Sequence, residues 1–406
     1  MSHFLIIVVT FSLAVVLGQY STELVEYQEI SKIKIALDCD EAHLSVCVHR
    51  QLLYRASLSL FLLFVVLCAL SYFSSWVDRS FWPLKFAAAI GMFVAFLWVD
   101  NATFATWAAC SQILSFFWLL AQGLLVLELG YLIHDVIMQA AANEESRGDS
   151  RKYLVLYLLC SCALLSAVVV GLTYLFSAPY SGCELGRFLS ITTLVAGILT
   201  TLVSLLQVVN KGLLTPSFMF AYSVLLCWYS LLSSPDVKCN PFAATQDSSL
   251  MVEFFLASIS AAIILFCVCW GSKILQIFNP NGDPLFGGGD DDARRDLEVI
   301  LVAKEGGATK KASELPYTTA AGAGAEEHGE DQGPEIQERV FFLALMALSS
   351  AFFGMVLTSF GAADGSPLAK NVEASNESLW LKTVAQWIFI GLYIKTLHAA
   401  YISNNN

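Results

Sequence analysis

Ionisable side chains stand inside several of the long apolar runs of this 406-residue chain. Arg55, Lys85, Glu128 and Asp135 lie in such runs, and Arg187 opens another. Charges are costly in hydrocarbon, so such residues commonly pair with each other or mark a path for ions or substrates. Glu128 and Asp135 are seven residues apart and share one face of a helix. Lys85 is a candidate counter-charge for Glu128, and the alternatives are a structural ion pair between helices and a path for charged groups.

A stripe of polar side chains follows one apolar run, between residues 186 and 209. Its members recur at steps of three, seven, four and three residues and therefore share one helix face. They are Ser190, Thr193, Thr200, Ser204 and Gln207. Small hydroxyls at this spacing allow helices to pack closely. The alternative is a hydrated groove for a lipid headgroup or solute that ends at Lys211, and the sequence leaves both interpretations open.

Motifs for catalysis or metal binding are absent from the sequence. It contains no HExxH, GxSxG, P-loop or paired CxxC motif. The acidic run GGGDDD at 287–292 is typical of a solvated tract rather than of a metal site. We therefore expect no enzyme activity, no cofactor and no metal. A large basic patch is also missing, which argues against a nucleic-acid partner.

The composition indicates an all-α membrane protein. Hydrophobic residues make up 57% of the chain and charged residues only 14%, whereas soluble domains average about 25% charged. A spanning helix needs about 20 mostly apolar residues. Ten runs meet this description approximately, at 4–19, 51–73, 81–99, 104–142, 152–176, 186–209, 213–233, 248–277, 339–362 and 379–402.

Two of these runs differ from a simple span. Residues 104–143 contain no proline, and one helix of that length would measure about 60 Å, roughly twice the hydrocarbon core. We expect one long diagonal helix, and the alternative is a normal span followed by an amphipathic helix. The run at 4–19 is short and N-terminal, so it is either a retained helix or a cleaved signal peptide.

Glycosylation motifs and cysteines indicate which side of the membrane is lumenal. Asn101 and Asn376 each begin an N-x-S/T acceptor, and such sites are used only on the lumenal or extracellular side. The cysteines outside the runs fall on the same predicted side, where disulfides form. They are Cys39, Cys47, Cys183 and Cys239. Four cysteines allow three connectivities, of which we favour Cys39–Cys47 with Cys183–Cys239.

This orientation organises the chain into three parts. Residues 1–278 hold spans one to eight with a lumenal loop at 20–50, and residues 339–406 hold spans nine and ten. Between them, residues 279–338 are rich in Gly, Asp, Glu and Ala and are predicted to be a disordered cytosolic loop. Both termini are then cytosolic.

Several segments resemble the serine incorporator (Serinc, TDE or TMS) family. The segment SFMFAYSVLLCWYSLLSSPDVKCNP at 217–241 is similar to a span of that family with its Ser-x-x-Pro and Cys-Asn-Pro loop. LLYRASLSLFLLF, FWPLKFAAAIGMF, GCELGRFLSITTL and WIFIGLYIKTLHAAYIS also match in order. The resemblance implies ten helices in two bundles crossed by the long diagonal helix, with lipid-binding grooves on the bundle faces.

The resemblance also implies a function in lipid handling. Family members are linked to supplying serine for phosphatidylserine and sphingolipid synthesis and to phospholipid scrambling without an energy source. We expect the partners to be membrane phospholipids, with serine and lipid-synthesis enzymes, in the endomembrane system or plasma membrane; a homo-oligomer is compatible with the sequence. Lys85, Glu128 and Asp135 would contact headgroups in the inner leaflet, and Arg55 and Arg187 in the outer one. The rival functions are a serine or amino-acid carrier and a scaffold for lipid-synthesis enzymes.

Overall fold

The computed structural model describes helices joined by turns and contains no strand in the residues that it describes. These are residues 2–20, 44–73, 82–145, 151–177, 182–206, 212–236, 238–240, 258–262, 333–358, 360 and 372–405. The α-helices with defined bounds are α1 (Ser2–Gln19), α2 (Leu44–Phe73), α3 (Trp82–Ala95), α4 (Asn101–Glu145), α5 (Arg151–Phe176), α6 (Glu184–Ser204), α7 (Leu214–Leu231), α8 (Gly333–Leu357) and α9 (Val372–Asn405). A 3₁₀-helix, Phe96–Trp98, extends α3.

Six helices in the described ranges are long and apolar enough to cross a membrane, which makes this a multi-pass membrane protein. They are α2 and α4 to α8. The predicted runs 4–19 and 81–99 form the shorter apolar helices His3–Gln19 and Trp82–Trp98. The run 379–402 is helical within α9. Of the run 248–277, only residues 258–262 are described, and these are helical.

Helix α4 is continuous over 45 residues. It is therefore about 67 Å long, and the predicted long helix over 104–143 is confirmed, whereas the alternative of two separate helices is wrong. Its two glycines do not break the helix. Each lies where a residue of another helix packs closely against α4. A Cβ on Gly123 would lie 2.7 Å from the Phe389 ring, and one on Gly130 would lie 3.4 Å from the Thr215 backbone.

Helix α4 also contacts more neighbours than a peripheral helix would. It packs against α2 and α8, and also against α5, α7 and α9. Aromatic contacts mark both surfaces, since the Trp118 ring lies 6.2 Å from Phe352 of α8. On the α7 side, the Tyr222 hydroxyl donates to the Leu119 carbonyl over 2.9 Å. These five helices are thus positioned in part by their packing on α4.

Two helices begin earlier than the apolar runs predict. Helix α2 starts at Leu44, where the lumenal loop was expected to continue to residue 50, because Cys47, Val48 and Arg50 are buried against the core. Helix α8 starts at Gly333 rather than at residue 339. The rest of the two predicted loops, 21–43 and 279–332, lies outside the described residues.

The contact between α6 and α7 generates a first prediction. A Cβ on Gly197 would overlap the Phe220 ring, whereas nothing lies within 4 Å of a Cβ on Gly391 of α9. We expect Gly197→Ala to destabilise the protein by about 1–3 kcal/mol, as overpacked cores do. The thermal unfolding midpoint in detergent measures this, with Gly391→Ala as the matched control. Equal midpoints for the two variants would contradict the close α6–α7 contact.

Candidate functional site

Arg55 is completely buried on α2 and joins α2 to the turn before α4. Its Nε donates to the Phe96 carbonyl over 2.9 Å, and its Nη2 donates to the Val99 carbonyl over 3.3 Å and to Asn101 Oδ1 over 2.8 Å. The guanidinium also lies 4.4 Å from the centroid of the Phe104 ring. Arg55 therefore lies inside the packed helices and connects them, whereas an outer-leaflet contact would need an accessible guanidinium.

Lys85 and Glu128 are not paired in the structure, although the sequence made Lys85 a candidate counter-charge. Lys85 is buried on α3, which packs against α1 and α2, and its ammonium lies 4.4 Å from the Trp82 ring centroid. Glu128 lies two residues from Gly130, where α4 packs on α7. Among the described residues, no cation forms an ion pair with Glu128. The two residues therefore belong to different helix contacts.

Glu128 and Asp135 lie on a partly exposed face of α4. Along this face, Phe117 is exposed, Ala121 and Leu124 are half-buried, Glu128 is half-buried and Asp135 is exposed. The spacing of three, four and seven residues keeps them on one side of the helix. A carboxylate that is neither enclosed nor fully exposed thus lies within a candidate spanning helix.

The break between α6 and α7 is held by polar contacts near the same end of α4. Ser204 Oγ donates to the Gly212 carbonyl over 2.7 Å. The Tyr157 hydroxyl accepts from the backbone N–H groups of Leu213 and Leu214 over 2.8 and 3.0 Å. It therefore satisfies two of the orphan donors at the start of α7. Gly212 has φ of +73°, a conformation that glycine adopts easily.

The polar stripe of α6 is buried against α7 and α9. Ser190 Oγ lies 4.0 Å from Cys227 Sγ, and Gln386 Nε2 donates to Thr193 Oγ1 over 2.7 Å and to the Ser223 carbonyl over 3.0 Å. The stripe is thus a helix-packing surface, and Ser204, expected on a lipid path, is buried within it. Gln207 and Lys211 lie outside the described residues.

A buried lysine on α9 has no counterpart in the sequence-based predictions. Lys382 is 1% exposed, and its ammonium donates to Ser233 Oγ and lies 3.8 Å from the Tyr229 ring centroid and 3.5 Å from that of Phe360. Ser378 lies one turn earlier on α9. Residues 378, 382 and 386 are polar and four positions apart, a spacing that indicates one polar helix face. The many apolar residues around them make this pattern difficult to recognise in the sequence.

The disulfide-bonded cysteines lie on the side that the sequence predicts to be lumenal. Cys183, at the start of α6, is bonded to Cys239, after α7, which is the pairing favoured from the sequence. Cys47 is also disulfide-bonded, and Cys39 lies outside the described residues. Arg187, one turn after Cys183, is exposed. In the described part of the chain, no group of three His, Cys, Asp or Glu side chains is placed to hold a metal ion.

Comparison with known proteins identifies the family of this chain. The sequence profile described as Serine incorporator (Serinc) matches residues 1–406. The chain belongs to the serine incorporator family. Human serine incorporator 2 is 23% identical over 344 residues, which cover 81% of this chain and 71% of that protein. Bovine serine incorporator 3 is 21% identical over 360 residues, covering 81% and 72%.

The surroundings of the two glycosylation motifs in this serine incorporator differ. Asn101 is half-buried, its carboxamide oxygen accepts from Arg55, and only Val99 and Asp100 separate it from the 3₁₀-helix. Asn376 is exposed near the start of α9. The side chain of Asn101 is therefore less accessible than that of Asn376.

We therefore predict that Asn376 carries a glycan and that Asn101 does not. Asn376→Gln should abolish the gel shift that peptide N-glycosidase F produces in the protein from mammalian cells, whereas Asn101→Gln should leave that shift intact. A shift that survives in Asn376→Gln and disappears in Asn101→Gln would reverse this assignment.

Proposed function

We propose that this serine incorporator scrambles phospholipids between leaflets without an energy source and thereby supports serine incorporation into phosphatidylserine and sphingolipids. The observation that carries the proposal is Glu128, a half-buried carboxylate on the partly exposed face of α4. A carboxylate in this position can contact the cationic groups of a headgroup while the acyl chains remain in lipid. Asp135 continues the same face toward the helix end.

We further infer that α4 crosses diagonally between two helix bundles. Helix α2 contacts α1, α3 and α8, helix α7 contacts α5, α6 and α9, and α4 contacts members of both sets. Its length of about 67 Å exceeds the hydrocarbon core of about 30 Å. A helix of this length has room to tilt strongly, so its exposed face could accompany a headgroup through both leaflets. The disulfide side is lumenal in this interpretation, and both termini are cytosolic.

Removing the charge of Glu128 tests the scrambling function. We expect Glu128→Gln to slow, several-fold, the loss of fluorescence from a headgroup-labelled phospholipid when dithionite is added to liposomes that contain the purified protein. The physical reason is that the variant keeps the side-chain shape but loses the electrostatic attraction for headgroup cations. With the wild-type protein, the loss should exceed the outer-leaflet half without ATP.

Glu184→Gln is the matched control, because Glu184 is an exposed carboxylate in the first turn of α6. This control should scramble like the wild type. If the wild-type signal stops at half, as in empty liposomes, the protein does not scramble under these conditions and the proposal fails. If both variants scramble equally fast, Glu128 does not lie on the path.

A second candidate function is a serine carrier, which one observation favours. The Oε1 atom of Gln386 is buried among α6, α7 and α9 and accepts no hydrogen bond from the residues that the structure describes. A buried orphan acceptor is a suitable contact for the ammonium or hydroxyl of a small solute. A carrier predicts saturable uptake of radiolabelled serine that Gln386→Leu abolishes, while scrambling is unchanged. Wild-type protein without such uptake would exclude this candidate.

A further inference from the structure

Three hydrogen-bond donors converge where α9 meets the turn after α7, and we call them the Lys382 site. Its members are Lys382, Ser233 and Ser378, which are 1%, 3% and 1% exposed. The Lys382 ammonium donates to Ser233 Oγ, and the oxygen atoms of Ser233 and Ser378 lie 3.4 Å apart. The three side chains come from two segments that lie 145 residues apart along the chain.

One hydrogen-bond donor of the Lys382 site has no acceptor among the described residues. Each serine hydroxyl carries a single hydrogen. In the contact between the two serines, the Ser378 hydroxyl donates to Ser233 Oγ. Among the described residues, the hydroxyl hydrogen of Ser233 has no acceptor. Buried donors without acceptors are rare and ordinarily indicate a ligand or water that completes the site.

The charge of the Lys382 site is likewise incomplete. No carboxylate of the described residues forms an ion pair with Lys382. The Tyr229 and Phe360 rings face the ammonium and attract it, but they supply no negative charge. A bound oxyanion would supply both the missing acceptor and a counter-charge for the Lys382 ammonium.

The backbone around the Lys382 site is held in place by specific contacts. Phe360 has φ of 55°, which is unusual for a residue with a bulky side chain, and its N–H donates to the Met355 carbonyl over 2.8 Å. Asn240 Nδ2 donates to the Leu232 carbonyl over 2.6 Å beside Ser233. Such features persist only where the surroundings maintain them. Asn376 and Glu377, within two turns of Lys382, are exposed, so the site lies close to the surface.

We propose that the Lys382 site binds an oxyanion, through a phosphate or carboxylate oxygen that accepts from the Lys382 ammonium and from the free serine hydroxyl. The ligand is a phospholipid headgroup or a free anion, and both share this chemistry. The proposed function would be extended by this site. Only the assignment of the oxyanion to a lipid headgroup rests on the proposed function. In that case the Lys382 site, rather than Arg55, is the headgroup contact on the disulfide side of the protein.

The proposal is tested by anion-dependent thermal stability of the purified full-length protein in detergent. The probes are phosphatidylserine, diacylglycerol with the same acyl chains, inorganic phosphate and acetate. A ligand that binds the folded state raises the unfolding midpoint as its concentration exceeds the Kd. We expect at least one oxyanion to raise the midpoint and diacylglycerol to leave it unchanged. A response to phosphatidylserine alone identifies a headgroup, and a response to phosphate or acetate identifies a free anion.

Two variants separate binding from folding. Ser233→Ala removes the hydroxyl that donates to the ligand but keeps the Lys382 ammonium, and it should require roughly tenfold more ligand for the same shift, as expected for a lost hydrogen bond to a charged group. Lys382→Met should abolish the shift. Lys238→Gln removes an exposed lysine near the same turn and should respond like the wild type.

The proposal is overturned if no oxyanion stabilises the wild type, or if Ser233→Ala responds at the same concentrations as the wild type. Should Lys382→Met fail to fold, the comparison of Ser233→Ala with Lys238→Gln decides alone. Because this binding experiment needs no transfer between leaflets, retained binding with absent scrambling would overturn the proposed function and leave the Lys382 site standing. Scrambling without oxyanion binding would overturn the Lys382 site and leave the proposed function standing.

Discussion

Hydrocarbon offers no hydrogen-bond partners, and this constraint determines how the polar groups of this protein are arranged. Inside a membrane every polar group must find its partner within the protein. Arg55 is bonded to the carbonyls of Phe96 and Val99. The Tyr157 hydroxyl covers the start of α7, and Tyr222 donates to a carbonyl of α4. These contacts link helices that are distant in sequence, so the demand for hydrogen bonds also selects which helices pack together.

The same constraint explains why the exceptions are informative. Where a buried polar atom has no hydrogen-bond partner within the protein, a ligand or a water molecule can supply that partner. Gln386 and the Lys382 site lie on one face of α9, where Gln386 contacts α6 and α7 and Lys382 contacts the end of α7 and Phe360. Glu128 differs in kind, because it is half-exposed and a headgroup can reach it from outside the protein. We therefore propose different tasks for the three positions, namely solute contact, anion binding and transient headgroup contact.

The sequence predicted the helices better than it predicted their polar contacts. Hydropathy locates spans because about 20 apolar residues are needed whatever the neighbours are, and the lack of proline predicted the continuous α4. The partners of a buried charge depend on helix packing, which hydropathy does not encode. Lys85 and Glu128 look complementary in sequence but lie in different helix contacts. Lys382 contacts Ser233, which is 149 positions away along the chain, and the rings of Tyr229 and Phe360. The polar stripe of α6 was visible, but only the structure shows that α7 and α9 cover it.

The length and continuity of α4 have a mechanical consequence. A helix without a hinge behaves as a lever arm, since a small rotation at one end becomes a large displacement at the other. For a rod of about 67 Å, a tilt of about 5° about one end shifts the far end by about 6 Å. That distance is comparable to the rise of one helical turn. Helices resting on the two ends of α4 can therefore change register with each other through this one rod, without direct contact between them.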